Sequence, residues 1–414
     1  MGFLKGNFAM RHWTVALLGT ACWLAVAGAQ AATIELSDVG ADVGVLLRIA
    51  MPAGAIAARP GQVVGLTDEH GREVRAQVEP AGLGGDQIEL VLVRPVGLGK
   101  TLRVGKVVSP EIVGPYAASR EDDRTVTLGD GPKPIAVYHS GIRELPAKPA
   151  FNRANFFHPL VTPAGVMVTD DAPPDHLHHR GLFLSFTEVT WSGDGRRLKG
   201  NFWHGDPAAK VAPGKVHYTH GGPVCAALAV SHDFTIGAQA VLRQDVIARS
   251  ARVSGRVNVL DVEYRITPLH GDVVLGPNFY SCLQLRGAAV FNRPDLVFSY
   301  DDGKPHRDVD HRNDPPHEEP PLARWIDETG LVQAQPVGAT VAIDPSTAKS
   351  RLCYSRGVKG LNLDFLYDAP TTLKAGQTLR ARYQVYIHDG TAAEAKIGDI
   401  ARWFNPGIGV KWTD

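Results

Sequence analysis

Cysteine is scarce in this chain: four residues in 414. One of them, Cys22, lies in an N-terminal apolar stretch; Cys225, Cys282 and Cys353 are widely spaced. An odd number of distant cysteines is no disulfide framework, which leaves either a single pair or three buried thiols acting as small apolar groups. Charge of one sign is lacking too. Lys+Arg and Asp+Glu both number 43, and no basic stripe runs along any segment, so nothing points to nucleic acid. Beyond the first 31 residues no apolar run is long enough to cross a bilayer as a helix, so no integral membrane segment is expected in the mature chain. Nucleotide loops, dinucleotide fingerprints and the G-x-S-x-G nucleophile elbow are absent, which argues against phosphoryl transfer, nicotinamide redox and α/β-hydrolase chemistry.

Residues 1–31 read as a signal peptide. Lys5, Arg11 and His12 supply the positive start, residues 15–27 the apolar core, and Ala29-Gln30-Ala31 the cleavage pattern. The expected location is therefore periplasmic or secreted.

Glycine (44) and proline (29) are plentiful, as suits many strands joined by turns. Residues 33–110 read as a small N-terminal β domain. Val43, Val45, Leu47 and Ile49 alternate with more polar neighbours, Ile88, Leu90 and Leu92 do the same, and Asp68-Glu69-His70-Gly71 reads as a turn. A linker over 109–123 leads to a large β-sandwich domain over 124–414. In it, Leu379, Ala381, Tyr383, Val385 and Ile387 alternate with Arg380, Arg382, Gln384, Tyr386 and His388. The spacing predicts that the first set faces the core and the second a concave ligand face. Asp261 and Glu263 have the same spacing and read as a solvated pair. One helix is expected near the C-terminus: Thr391 and Glu394 form a capping box, Ile397, Ile400, Ala401 and Phe404 share a face, and Asn405-Pro406 ends it. The fold class is all-β.

The densest chemistry is Asp175-His176-Leu177-His178-His179-Arg180. Histidine exchanges protons near neutral pH and is the commonest metal ligand, and clustering such groups serves no packing need. If the run is extended, His176, His178 and Arg180 share one face and Asp175 and His179 the other. Asp175, His176, His178, His179 and Arg180 are the candidate catalytic residues, with His176 or His178 as acid/base and Arg180 holding a hydroxyl or carboxylate. His158, Trp203, His204, Arg382, Tyr386 and His388 are candidate substrate contacts, since aromatic rings beside polar groups suit sugars. No organic cofactor is expected. A metal on His176 and His178, with His158, His204 or His388 as a third ligand, is the alternative. Unperturbed imidazoles would place a pH transition near 6.5.

The segments His158-Pro159-Leu160-Val161-Thr162-Pro163-Ala164-Gly165, Pro174-Asp175-His176-Leu177-His178-His179-Arg180-Gly181 and Tyr383-Gln384-Val385-Tyr386-Ile387-His388-Asp389-Gly390 resemble the bacterial PmoA-like domain family over roughly residues 125–395. Phe202-Trp203 and residues 323–330 fit the same pattern. Leu177 stands where the family has proline, and the block from Cys353 to Gly360, with Arg356, matches loosely. The family bears a methane-oxygenase label, which a chain lacking membrane helices and a copper-ligand set does not match. The resemblance implies instead a large antiparallel supersandwich, similar to galactose mutarotase, in a secreted protein of polysaccharide-degrading bacteria. The combined expectation is a carbohydrate ligand handled by His-based acid/base chemistry, with mutarotation, hydrolysis and elimination all open. The alternatives are a glycan-binding protein without turnover and a metal-dependent enzyme.

Overall fold

The computed structural model describes residues 32–36, 43–84, 87–108, 114–278, 280–306, 308, 319–344, 346–347, 349–404 and 410–413. Residues 1–31 with Cys22, expected to be a signal peptide, residues 109–113 of the expected linker, the Asn405-Pro406 helix stop and residues 307 and 309–318, with His311 and His317, lie outside them.

The chain is all-β, and every strand pairing is antiparallel. A nine-stranded sheet is built around Ala226–Ile236, Gln239–Ser254, Val257–Pro268, Leu379–Asp389, Gln335–Ile343 and Trp325–Val332. An eight-stranded sheet runs through Gly360–Asp364, Cys282–Arg286, Leu182–Ser185, Phe156–Leu160, Lys133–His139 and Thr125–Asp130. These two pack face to face. Leu128, Tyr138, Phe157, Leu182, Leu184, Leu283 and Leu363 from one sheet meet Leu228, Val246, Leu260, Val262, Tyr264, Tyr383 and Val385 from the other in one core. Burial of this apolar surface is the main force holding the sandwich. The period-2 reading of Leu379–Asp389 holds on this side: Ala381, Tyr383, Val385 and Ile387 all enter the core.

A third layer covers the other face of the nine-stranded sheet. The N-terminal strands form a seven-stranded sheet whose last strand, Val410–Thr413, comes from the C-terminus and pairs with Thr33–Leu36. Its residues Val45, Leu47, Leu90 and Leu92 share a second core with Val257, Val259 and Tyr386 of the nine-stranded sheet and with Ile397, Ile400 and Phe404. The fit is close: a Cβ on Gly44 would stand 2.0 Å from the Val253 carbonyl oxygen, so only glycine passes there. Thr391 and Glu394 do exchange reciprocal hydrogen bonds, but in a turn ahead of the short helix Ile397–Arg402, whose N-cap is Lys396.

This third layer corrects two expectations. Asp261 and Glu263 are not solvated; both are wholly buried. Arg48 from the N-terminal sheet reaches both of them, Arg382 binds Asp261 at 2.6 Å, and Arg380 and Arg265 bind Glu263. Burial pushes both carboxyls up, but the surrounding guanidinium charges outweigh it and hold them low, Glu263 at about 2. The face carrying Arg382, Gln384, Tyr386 and His388 is likewise an internal polar layer rather than a concave ligand face. Gln384 donates to the Leu46 carbonyl and to Asp261, and the Tyr386 hydroxyl donates to Gln384. Alternation defines two faces of a strand; it does not say which of them another sheet will cover.

Candidate functional site

The His run does not extend. Pro173 and Pro174 start a turn closed by His176 N–H on the Pro173 carbonyl, and a second turn follows with His179 N–H on the His176 carbonyl. Asp171 and Arg180 bridge the base of this loop, and Ala172 N–H bonds the His179 carbonyl. Two turns in succession collect side chains that an extended strand would send to opposite faces. His176 stacks on His179 with ring centroids 4.7 Å apart, and His178 meets His179 edge-on at 4.5 Å.

The outer face of the eight-stranded sheet anchors the loop. Arg286, at the end of Cys282–Arg286, places Nη2 2.9 and 3.0 Å from the two oxygens of Asp175 and Nη1 3.3 Å from His179 Nδ1. A guanidinium only donates, so His179 accepts through Nδ1, while its Nε2 lies 3.3 Å from the Gln284 side-chain nitrogen. Burial raises the Asp175 carboxyl, but the Arg286 hydrogen bond and charge prevail and keep it ionised. His176 Nδ1 stands 3.3 Å from Asp175.

The His178 ring makes no hydrogen bond among the described residues. It meets His204 edge-on, centroids 4.8 Å apart, where both line a cleft of about 360 Å³. The loop over 201–206 sets the far wall. The Asn201 side-chain oxygen accepts the N–H of Trp203 and of His204, and its amide donates to His204 Nδ1 at 3.1 Å. His204 therefore carries its proton on Nε2 when neutral. Phe156, Phe183 and Trp203 make a small apolar cluster behind, with Tyr280 against it. Arg153 lies over the Phe183 ring at 4.5 Å, and its Nη1 donates to the Trp203 carbonyl at 3.4 Å. Phe151, from the same segment, also lines the cleft.

Electrostatics keep these rings neutral. Burial, with the nearby imidazoles of His204 and His176 and the charge of Arg153 adding to it, lowers His178 to about 3. Burial lowers His204 as well, helped by Arg153. The transition near 6.5 expected for unperturbed imidazoles is thus displaced downward. Among the described residues, no group of three or more His, Cys, Asp or Glu is arranged to hold a metal ion.

The predicted site residues therefore divide. His176, His178, His179, His204, Trp203 and Asp175 come together. Arg180 leaves them: it is fully buried, pairs with Asp171 at 2.8 Å and donates to the Phe151 carbonyl, so it braces the loop and does not face a ligand. His158 bonds Thr169 Oγ1 at 3.0 Å, and its carbonyl meets His139 Nε2. Arg382, Tyr386 and His388 sit on the far side of the sandwich, with the inter-sheet core between; His388 Nε2 is 2.9 Å from Asp327 and its Nδ1 bonds the Gly390 carbonyl. Sequence reasoning missed Arg153, Asn201 and Arg286. The alternation Cys282-Leu283-Gln284-Leu285-Arg286 could have flagged Arg286; no periodic pattern marks Arg153. Cys225, Cys282 and Cys353 are buried thiols, not a disulfide.

Fold and site together define an all-β sandwich protein with an imidazole-lined cleft on the outer face of one sheet. The chain belongs to a family of unknown function (DUF6807), which it matches over residues 125–402, a span that holds the whole cleft and leaves out the N-terminal strands. No curated protein matches it.

Proposed function

We propose that the cleft binds a sugar or glycan fragment and transfers protons on it through His178 and His204, in a periplasmic or secreted protein. One observation carries this reading: His178, an imidazole with no hydrogen-bond partner among the described residues, stands in ring contact with His204 at the mouth of an aromatic-backed cleft. Neutral His178 offers an acceptor, and His204, whose Nδ1 is taken by Asn201, offers an Nε2–H donor. An acceptor and a donor side by side are what mutarotation, hydrolysis and elimination on a sugar share: one proton leaves a hydroxyl or carbon while another reaches an oxygen. The ring of Phe151, partly exposed in the lining, supplies the apolar surface that a sugar face stacks upon, with buried Trp203 behind it. A glycan-binding protein without turnover is the second reading, favoured by the low value of His178, because a base weakens as its pKa departs from the working pH.

A thermal-shift panel of mono- and oligosaccharides tests the reading, since a ligand bound to the folded state alone raises the melting temperature. A sugar should stabilise the native chain and lose that effect in His178→Asn. Product formation from that sugar, abolished in the variant, supports catalysis; binding without product supports the second reading; no stabilising sugar overturns both.

A further inference from the structure

We propose that the ligand of this cleft is an acidic sugar and that Arg153 holds its carboxylate. The proposal rests on the carbohydrate reading above and narrows its substrate class. Arg153 is 8% exposed, and among the described residues no carboxylate pairs with it. Leaving a guanidinium buried without a counter-ion is costly. Arg48, Arg180, Arg249 and Arg286 are as deeply placed, and each meets an Asp or Glu. Arg94 also lacks a carboxylate, but it packs over Trp403 and is not part of the cleft wall.

The side chain is held for a task. The Phe183 ring fixes the plane of the guanidinium, and the Trp203 carbonyl takes Nη1. Nε has no partner, and the bond from Nη1 is the side-chain hydrogen bond found for Arg153 among the described residues. Burial, reinforced by the charge of Arg180, brings Arg153 down to about 9, the mark of a cation short of negative neighbours. In the rest of the lining Lys210 is a second cation, and the one carboxylate, Asp206, makes no ion pair with Arg153; it is turned to its own loop, accepting from the N–H groups of Asn201 and Ala208. The cleft therefore offers a fixed positive charge, an N–H donor on His204 and an aromatic wall. A sugar ring bearing a carboxylate, a uronic acid, complements all three, and a charge-assisted hydrogen bond to a guanidinium is among the stronger polar contacts a site can make.

Calorimetric titration at pH 7 tests this with D-galacturonate and D-glucuronate against D-galactose and D-glucose, and with galactose 6-sulfate as the other anionic source. The expected result is binding of a uronate at least about tenfold tighter than its neutral counterpart. Arg153→Met keeps the stem against Phe183 and should remove the preference; Arg153→Lys should keep part of it. Raised salt should weaken the uronate and leave neutral sugars unchanged. Equal affinity for acid and neutral sugars in the native chain, or a preference that survives Arg153→Met in a variant with native circular dichroism, overturns the acidic ligand while the carbohydrate reading stands. Preference for the sulfated sugar overturns the carboxylate assignment. Binding of none of these sugars overturns both readings.

Discussion

Arg286 and Asp175 are 111 residues apart in sequence, yet a single guanidinium nitrogen, Nη2, lies within 3.0 Å of both carboxylate oxygens. The same guanidinium reaches His179, so the end of one central strand sets the position of the whole His run. The loop is thus built on a rigid element, which is how a site gains definition.

Removing that anchor should loosen the histidines before it unfolds the protein. Arg286→Met is expected to cost roughly 2 kcal/mol in urea unfolding, because Asp175 is about one-third exposed and can turn to water. Ligand affinity should fall by much more than that stability loss implies. Unchanged affinity would mean that the His run keeps its geometry without Arg286.

His388 should behave in the opposite way. It is fully buried, with Asp327 on one ring nitrogen and the Gly390 carbonyl on the other. Breaking this buried pair leaves the Asp327 carboxylate with the Thr329 and Thr340 hydroxyls alone, so His388→Ala should cost about 3 kcal/mol. Any sugar that binds should bind the folded variant with native affinity, measured by calorimetry below the melting temperature. A loss under about 1 kcal/mol would place His388 at the surface and contradict the three-layer arrangement.

Acid should destabilise the protein through its histidines. Burial lowers His232 and His139 to about 4, and lowers His158, His178 and His204. These folded values lie below the unfolded 6.5, so the unfolded chain takes up protons first. Their contribution is complete above about pH 6.5 and is lost as pH falls toward 4; for fully buried His232 the loss is on the order of 3 kcal/mol. Glu328 works against this trend: burial raises it to about 8, so its penalty shrinks as pH falls from about 8 toward 4.5. Burial also raises Asp364, to about 6, and Asp245, but these carboxyls are outnumbered by the lowered imidazoles, which predicts a stability maximum near pH 6.5 and a fall below it. Urea midpoints across pH 4 to 8 check this, and a maximum below pH 5 would contradict it.

What the sequence made legible was local. The alternation of Ala381 to Ile387 gave the core-facing set, Thr391 and Glu394 gave a reciprocal hydrogen-bonded turn but not the helix cap, which falls at Lys396, and the crowding of imidazoles at 176–179 marked the loop to which His204 comes. What it hid depends on contacts far apart in the chain. Arg382, Tyr386 and His388 carry the same alternation as a ligand face would; the third sheet, through Arg48 on Asp261, Leu46 on Gln384 and the core around Tyr386, covers the middle of that face, and Asp327 and Gly390 hold His388 at its end. Arg180 looked like a partner of the histidines because it follows them. Two turns send it inward to Asp171 instead, while Arg153, 27 residues earlier, takes a place beside the cleft.

The most direct measurement is the ¹⁵N resonances of the imidazoles as a stabilising sugar is added at pH 7. The account predicts that the His178 and His204 ring nitrogens shift together, that both read as neutral rings before addition, and that the buried rings of His232 and His388 stay still. Shifts at His388 with none at His178, or a charged His178 in the free protein, would contradict it.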